Sequence, residues 1–301
     1  MQLGFVTAIL HDLPFDEVLA FAAGEGFAVV EPMCWPVGRA ERKYAGVTHI
    51  DVSDLTQDRA DDIRAAADRA GVGLSALGYY PNVLSDDATH AGPALAHLRA
   101  VIAAAPRLGL STVTTFIGAD HRAHPDDNFA RFLEVWPDVL RLAEQHDVRI
   151  AIENCPMLFT RDEWPSGKNL AYSPAVWRKM FAALPSTHFG LNYDPSHMIW
   201  QFMDHLAPIA EFKDRLFHIH AKDTAVNRRK LNESGILSQG WQTPVIPGRG
   251  EVDWDGFFSA LQSVGYDGPV CIEVEDDTFG KTPDGRQRAL RESRRALETY
   301  F

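Results

Sequence analysis

The sequence predicts one (β/α)8 barrel, a TIM barrel, spanning residues 1–301, with long loops after its strands and a C-terminal helical extension at about 282–301. Three observations carry this. Strand-like apolar runs alternate with helix-like runs from end to end; there are eight of the former; and four in the second half each end in a metal-competent side chain. Alternating elements with short connections imply a parallel sheet sheathed in helices, and eight repeats close it. An open doubly wound sheet competes, but no Gly-x-Gly-x-x-Gly follows the first strand.

Element by element, a strand at 3–6 leads to a helix at 14–24, a strand at 27–31 to a helix at 58–70, a strand at 72–77 to a helix at 93–108, and a strand at 111–117 to a helix at 126–146. The second half continues with a strand at 149–153, a helix at 174–183, a strand at 188–193, an apolar helical stretch near 198–212, a strand at 216–220, a helix at 254–264 and a strand at 270–274. Gly71 and Gly109 each follow a helical run and precede strand residues, as left-handed C-terminal caps do. Connections 32–55, 155–173 and 221–253 exceed the usual length, and all three follow strands, where a barrel carries its chemistry. The last, rich in glycine and proline around Trp241, reads as a substrate lid, a partner contact or surface decoration.

Composition limits what this barrel serves. A chain of 301 residues with 46% hydrophobic content can bury one large core. Its 29 basic and 41 acidic residues give a net charge of −12, interspersed rather than blocked, so neither nucleic acid nor an anionic membrane is suggested as a partner. Cys34, Cys155 and Cys271 are far apart, odd in number and without a CxxC pair, which fits a reducing cytoplasm. The N-terminus lacks a basic signal-peptide region, and no apolar stretch reaches the roughly 20 residues of a membrane helix. Cytoplasmic localisation is expected; a homo-oligomer is compatible with the long loops but not demanded.

The four strand endings are Glu153, Asp194, His220 and Glu273. On parallel strands they emerge at one rim, where three carboxylates and an imidazole can close around a divalent cation. Alone, Glu153 could cap a helix or pair with an arginine, and Glu273, among four acids in positions 273–277, could be solvated charge. Together, carboxylates crowded at one rim repel and call for a cation. Strand alternation puts His218 and His220 on one face with His220 nearer the exit, so His220 is the expected ligand and His218 lies deeper. His197, three residues past Asp194, could bind a substrate hydroxyl or share the metal. This donor set suits Mn²⁺ best, with Mg²⁺ or Co²⁺ next and Zn²⁺ possible. Ser196 lacks a nucleophile elbow, and Gly248-Arg-Gly250 is too short for a phosphate loop.

Ile-Glu153-Asn, Asp194-Pro-Ser-His197, His218-Ile-His220-Ala-Lys222-Asp223, Pro247-Gly-Arg-Gly-Glu-Val-Asp253-Trp254 and Ile-Glu273 together resemble the xylose-isomerase-like barrel superfamily, specifically its sugar isomerases and epimerases. The resemblance implies Glu153, Asp194, His220 and Glu273 as metal ligands, with His197 and Arg249 near the substrate. The chain departs from the related apurinic endonucleases at Gly78-Tyr-Tyr-Pro-Asn82 and Thr115-Phe-Ile-Gly118, where those enzymes carry extra histidines. It departs from tagatose-type ketose 3-epimerases at Phe159 and Val226. The expected reaction is proton removal next to a carbonyl, with Glu153 and Glu273 as the acid/base pair as well as ligands, giving isomerisation or epimerisation of a sugar, ketose or keto-inositol through an enediolate. Elimination by a lyase or dehydratase acting on a keto-sugar or keto-glycoside is the alternative, and a non-catalytic sugar-binding or assembly subunit the other. Trp35, Tyr79, Tyr80, Phe116, Trp164 and Trp241 could stack on such a substrate or simply pack, and Lys222 and Arg249 are the only bases expected at the mouth.

Overall fold

Eight strand-like runs become nine parallel segments of one sheet in the computed structural model, which describes residues 1–38, 46–158 and 166–301. These are β1 (Gln2–Val6), β2 (Val29–Glu31), β3 (Gly73–Leu74), β4 (Leu77–Gly78), β5 (Thr112–Thr115), β6 (Arg149–Glu153), β7 (Phe189–Tyr193), β8 (Leu216–Ala221) and, after a separate hairpin, β11 (Pro269–Ile272). The extra segment arises because the expected strand at 72–77 is broken: β3 pairs with β2, while β4 pairs with β5. Between them Ser75 turns its hydroxyl to His218 Nε2 at 3.1 Å. The ring closes across this break, where Gly78 N–H donates to the Pro32 carbonyl and Cys34 N–H to that of Gly78, both at 2.9 Å. Gly78 lets these segments approach: a Cβ there would lie 2.0 Å from Met33 Cε and 2.8 Å from Glu31 Oε1, so both side chains would have to move to admit one.

Helices fill the connections largely where periodicity placed them. They are α1 (Phe15–Gly24), α2 (Gln57–Ala70), α3 (Ala88–Ala104), α4 (Pro125–Gln145) and α5 (Pro174–Ala183), then after the hairpin α9 (Trp254–Ser263) and α10 (Pro283–Leu297). Thr56 and Thr282 accept a backbone N–H at the starts of α2 and α10, and Gly71 and Gly109 adopt φ of 68° and 71° as left-handed caps. Two expectations need correction. The stretch near 198–212 is two short helices, α6 (Ser196–Trp200) and α7 (Ala207–Glu211), because the chain leaves helical geometry at Phe202, φ 58°. The loop 221–253 carries structure of its own: β9 (Asp223–Val226) and β10 (Gln242–Val245) form an antiparallel hairpin with α8 (Arg228–Ser234) between them.

Apolar packing lies between the strands and the helical shell, where Phe132, Trp136, Phe181 and Phe189 make successive aromatic contacts. Inside the ring, by contrast, the C-terminal ends of the strands carry buried Glu31, Glu153, Asn192, His218 and His220. The expected tail helix packs outside: Arg286 pairs with Asp12 at 2.5 Å and Arg291 with Glu25 at 2.7 Å. The three cysteines are buried and unpaired, and among the described residues no helix is long and apolar enough to cross a membrane.

Candidate metal centre

Parallel register delivers the site. Glu153 ends β6, Asp194 follows β7 directly, His220 lies near the end of β8 and Glu273 follows β11, so one ligand-competent atom from each falls within 4.8 Å of the others. The ends of β6 and β7 are stitched by a reciprocal amide pair: Asn154 Nδ2 donates to the Asp194 carbonyl at 2.9 Å and Asp194 N–H to Asn154 Oδ1 at 2.8 Å. Asn169, reaching in from the loop after β6, donates to the carbonyls of Glu153 and Cys155 and accepts from the amides of Ile117 and Gly118. A four-bonded amide of this kind fixes the rim without taking part in it.

One polar atom in the cage, His220 Nδ1, is buried with no hydrogen-bond partner, and Asp194 Oδ2, equally buried, is met by the Lys222 ammonium at 3.1 Å and the His197 ring at 3.4 Å. Leaving a buried polar atom unpaired costs about 1–3 kcal/mol, which a cation bound at this position would offset. His220 Nε2 faces Glu31 Oε2 at 2.8 Å and keeps its proton there, so Nδ1, with Glu153 and Glu273 oxygens 3.8 and 3.7 Å away, is the atom that would give its lone pair to a cation. Three carboxylates and one imidazole lone pair fit a hard or borderline divalent cation. Only Glu273, its side chain 21% exposed, opens the cage toward solvent.

Lys222 sets a positive charge among these carboxylates. Its Nζ lies 2.5 Å from Glu273, 3.1 Å from Asp194, 3.2 Å from Glu275 and 3.9 Å from Glu153. Burial disfavours the ammonium, but Asp194, Glu273, Glu275 and Glu153 outweigh it and raise the lysine's pKa well above normal. Burial likewise opposes ionisation of Glu273, and Lys222 and His220 override it. For Glu153, burial and Glu273 oppose ionisation, but contacts to His197, His220 and Lys222 prevail.

Below the cage sits a second polar layer. Glu31, fully buried, accepts from Tyr80 Oη at 2.5 Å, Thr114 Oγ1 at 2.6 Å and His220. Burial would raise its pKa, but His220 and His218 with these hydrogen bonds lower it to about 2. Burial drops the His218 pKa to about 4, so it is neutral: Nδ1 contacts Asn192 Oδ1 at 3.0 Å and Nε2 contacts Ser75. Glu31, His218 and His220 also lie close enough to hold a metal, but both Glu31 oxygens, both His218 nitrogens and His220 Nε2 are already hydrogen-bonded.

His197 is brought to the cage, with Nε2 3.3 Å from Glu153 Oε1 and 3.4 Å from Asp194 Oδ2. Arg249 is not: its guanidinium pairs with Glu292 of α10 and lies over the Phe279 ring. The flanking glycines explain the Gly248-Arg-Gly250 motif instead. Asp223 Oδ2 accepts the amides of Gly248 and Gly250 and the Trp254 indole N–H at 3.0–3.1 Å, and Oδ1 accepts the amides of Thr224 and Val252. Trp35 and Tyr79 meet edge to face at 4.9 Å and line a cavity of about 620 Å³ that also takes in Met157 and Lys168. Tyr80 and Phe116 pack at 5.0 Å beside the cage, while Trp241 lines a second cavity of about 410 Å³. Trp164 and Phe159 lie outside the described residues.

Sequence reasoning missed Glu31, although its strand also ends in an acid, and Asn169 and Trp200, which no local pattern marks. A closed parallel barrel with an acid-and-histidine cage at its C-terminal rim falls in the class of (β/α)8 barrels whose sites are built there. Within that class, residues 19–300 match the model of the xylose isomerase-like TIM barrel family, and the chain belongs to it. It is 27% identical over 313 residues to the uncharacterized protein YfiH of Bacillus subtilis, covering 93% of this chain and 94% of that one. It is 31% identical over 93 residues to the inosose dehydratase of Geobacillus thermodenitrificans, a match spanning 29% of this chain and 30% of the other. Among solved structures, the IOLI protein with a binding zinc atom superposes with a TM-score of 0.73 at 17% identity, over 100% of this chain and 99% of that one. The 3-keto-D-glucoside 4-epimerase YcjR from E. coli gives 0.69 at 16% identity, over 99% of both. Identities this low speak to the fold.

Proposed function

We propose that the chain is a divalent-metal-dependent isomerase or epimerase that moves a proton on the carbon next to the carbonyl of a sugar, ketose or keto-inositol. The observation that carries this is the convergence of Glu153, Asp194, His220 and Glu273, one ligand-competent atom of each within 4.8 Å of the others, with the buried His220 Nδ1 left without a hydrogen-bond partner. A cation held by these four residues would supply positive charge for the oxyanion that develops as the proton leaves. The oxygen-rich donor set favours Mn²⁺, then Mg²⁺ or Co²⁺, and the zinc in the IOLI structure keeps Zn²⁺ in view.

This chain's residues do the rest. Glu153 and Glu273 are held ionised, the state from which a base must start, and would work from opposite sides of the substrate. His197 would orient a hydroxyl, and Lys222 would bind a second substrate oxygen. Trp35 and Tyr79 would wall the adjoining space, whereas Arg249, turned to Glu292, takes no part. Returning the proton to the opposite face is epimerisation; returning it to the neighbouring carbon is isomerisation.

Loss of a β-hydroxyl from the same enediolate is the second reading, a dehydratase, and the local identity to inosose dehydratase favours it. Incubating the Mn²⁺-loaded protein in D₂O with a panel of ketoses, keto-inositols and keto-glycosides should label the α carbon. Glu153→Gln and Glu273→Gln should each cut labelling by about 10²-fold or more. Bound metal with no label across the panel would overturn the enolisation, and an unsaturated product would decide for the dehydratase.

A further inference from the structure

Resting on that reading of the site, we infer that the substrate is a keto-sugar joined by a glycosidic bond to a second sugar ring, the keto ring at the cage and the second ring in the cavity beside Trp35. That cavity, of about 620 Å³, falls within the roughly 300–1,000 Å³ of sites that enclose drug-sized ligands. One carbonyl and its neighbouring hydroxyl would occupy the cage, which leaves this space to a group that the keto ring carries. Met157 joins the two places. It lines the cavity and packs in one apolar cluster with Tyr80, whose Oη lies 3.2 Å from His220 Nε2. Its backbone is left-handed at φ 56°, a geometry uncommon outside glycine and concentrated at ligand-binding sites.

A braced aromatic ring forms part of the lining. Trp35 N–H donates to the Val47 carbonyl at 3.3 Å, the Trp35 carbonyl accepts from Thr48 Oγ1 at 2.8 Å, and Tyr79 meets the indole edge to face. Tyr79 is 2% exposed, so the half-buried Trp35 is the ring offered to the cavity. Around it stand polar groups: Ser85, Asp87 and His90 at the start of α3, and Lys168 from the loop after β6. Asn82 holds this rim, its side chain donating to the Ala119 carbonyl and accepting the amides of Leu84 and Ala119.

A pyranose ring presents C–H bonds on its faces and hydroxyls around its edge, which suits an aromatic surface bordered by hydrogen-bonding groups. An apolar group in the same space would take water from the Asp87 carboxylate and the Lys168 ammonium without replacing its hydrogen bonds. A phosphate would meet the Asp87 carboxylate at the start of α3. Among the described residues of the lining, Asp87 and Lys168 are one acid and one base, which matches a neutral polyol.

Isothermal titration calorimetry of the Mg²⁺-loaded full chain tests this, with the 3-keto derivatives of cellobiose, maltose, lactose and sucrose as probes, each set against the methyl glycoside of the same keto ring. At least one disaccharide should bind about tenfold or more tighter than its methyl glycoside. Trp35→Leu should bring the two affinities to within about twofold, and His90→Ala, at an exposed position, should narrow the gap several-fold. Methyl glycosides that bind as tightly as every disaccharide overturn the inference, as does a preference that survives both substitutions. A phenyl glycoside or phosphate ester of the keto ring that outbinds the disaccharides also overturns it. Should Trp35→Leu fail to fold, the unmodified protein and His90→Ala still decide. A chain that prefers disaccharides through Trp35 yet labels no α carbon in D₂O would fail the enolisation alone. Labelling of keto-sugars with no such preference would fail this inference alone.

Discussion

Two side chains next to the cage act on it with opposite sign. Glu31 takes the Nε2 proton of His220 and so aims Nδ1 at the carboxylates; removing that acceptor lets the imidazole choose its tautomer. Glu31→Gln should therefore weaken Mn²⁺ binding by about 10- to 100-fold in isothermal titration calorimetry. Lys222 places a positive charge on the oxygens that a cation would use. Lys222→Met should tighten Mn²⁺ binding by at least about tenfold, since like charges a few ångströms apart in a protein repel by several kcal/mol, and should lower the melting temperature of the metal-free protein. Unchanged or weaker binding would mean that the ammonium orders the carboxylates instead of competing with the metal. The four strand-ending residues were legible because each closes an apolar run. Glu31 carries the same mark at the end of its own apolar run, but it stands apart from the four because its strand lies in the first half of the chain. Trp200 carries none, since it meets the site through one contact, Nε1 to His197 Nδ1 at 3.2 Å, inside a turn that reads as part of a longer apolar helix.

At the level of elements, the turn at 246–254 hangs on one carboxylate. Five N–H groups converge on Asp223, and Gly250 packs so close that a Cβ would sit 2.2 Å from Asp223 Oδ1. Hydrogen bonds to a charged group contribute about 1.5–3 kcal/mol each, and losing the acceptor leaves several donors without a partner. Asp223→Ala should destabilise the protein by about 3–5 kcal/mol in urea unfolding and expose the hairpin β9–β10 to protease ahead of the barrel. Cleavage rates equal to the unmodified protein's would show the hairpin to be held by other contacts. Sequence resemblance had drawn Arg249 toward the substrate, yet the glycines beside it serve Asp223, and the arginine between them turns outward to α10. The broken third strand is illegible for a related reason: a run at 72–77 reads as continuous, and the contact that Ser75 makes at the break, 3.1 Å to His218 Nε2, comes from a residue far along the chain.

For the molecule as a whole, the parallel ring collects polar residues from five strands into its interior, and acid should find that arrangement first. The pKa of His218 falls from 6.5 to about 4 on folding because the neutral ring is buried, so between those values the unfolded chain binds a proton that the native protein refuses. Stability from this residue is complete above pH 6.5 and is lost as pH drops toward 4, by up to about 3 kcal/mol. His49, also depressed by burial, adds a contribution of the same sign. His220 runs the other way: its raised pKa stabilises the metal-free fold below 6.5 and that gain fades as pH rises through the folded value. The Glu31 carboxyl, at about 2 in the fold, gives way only below 4.5. Net slopes therefore mix signs, and the His218 contribution is isolated by comparison. In chelator, His218→Gln should be less stable at pH 7.5, because its bonds to Asn192 and Ser75 are disturbed, yet its unfolding free energy should fall less steeply than that of the unmodified protein between pH 6.5 and about 4. Parallel curves across that window would mean that His218 takes up its proton in the native barrel as readily as in the unfolded chain, and that the polar layer under the cage is wetter than its burial implies.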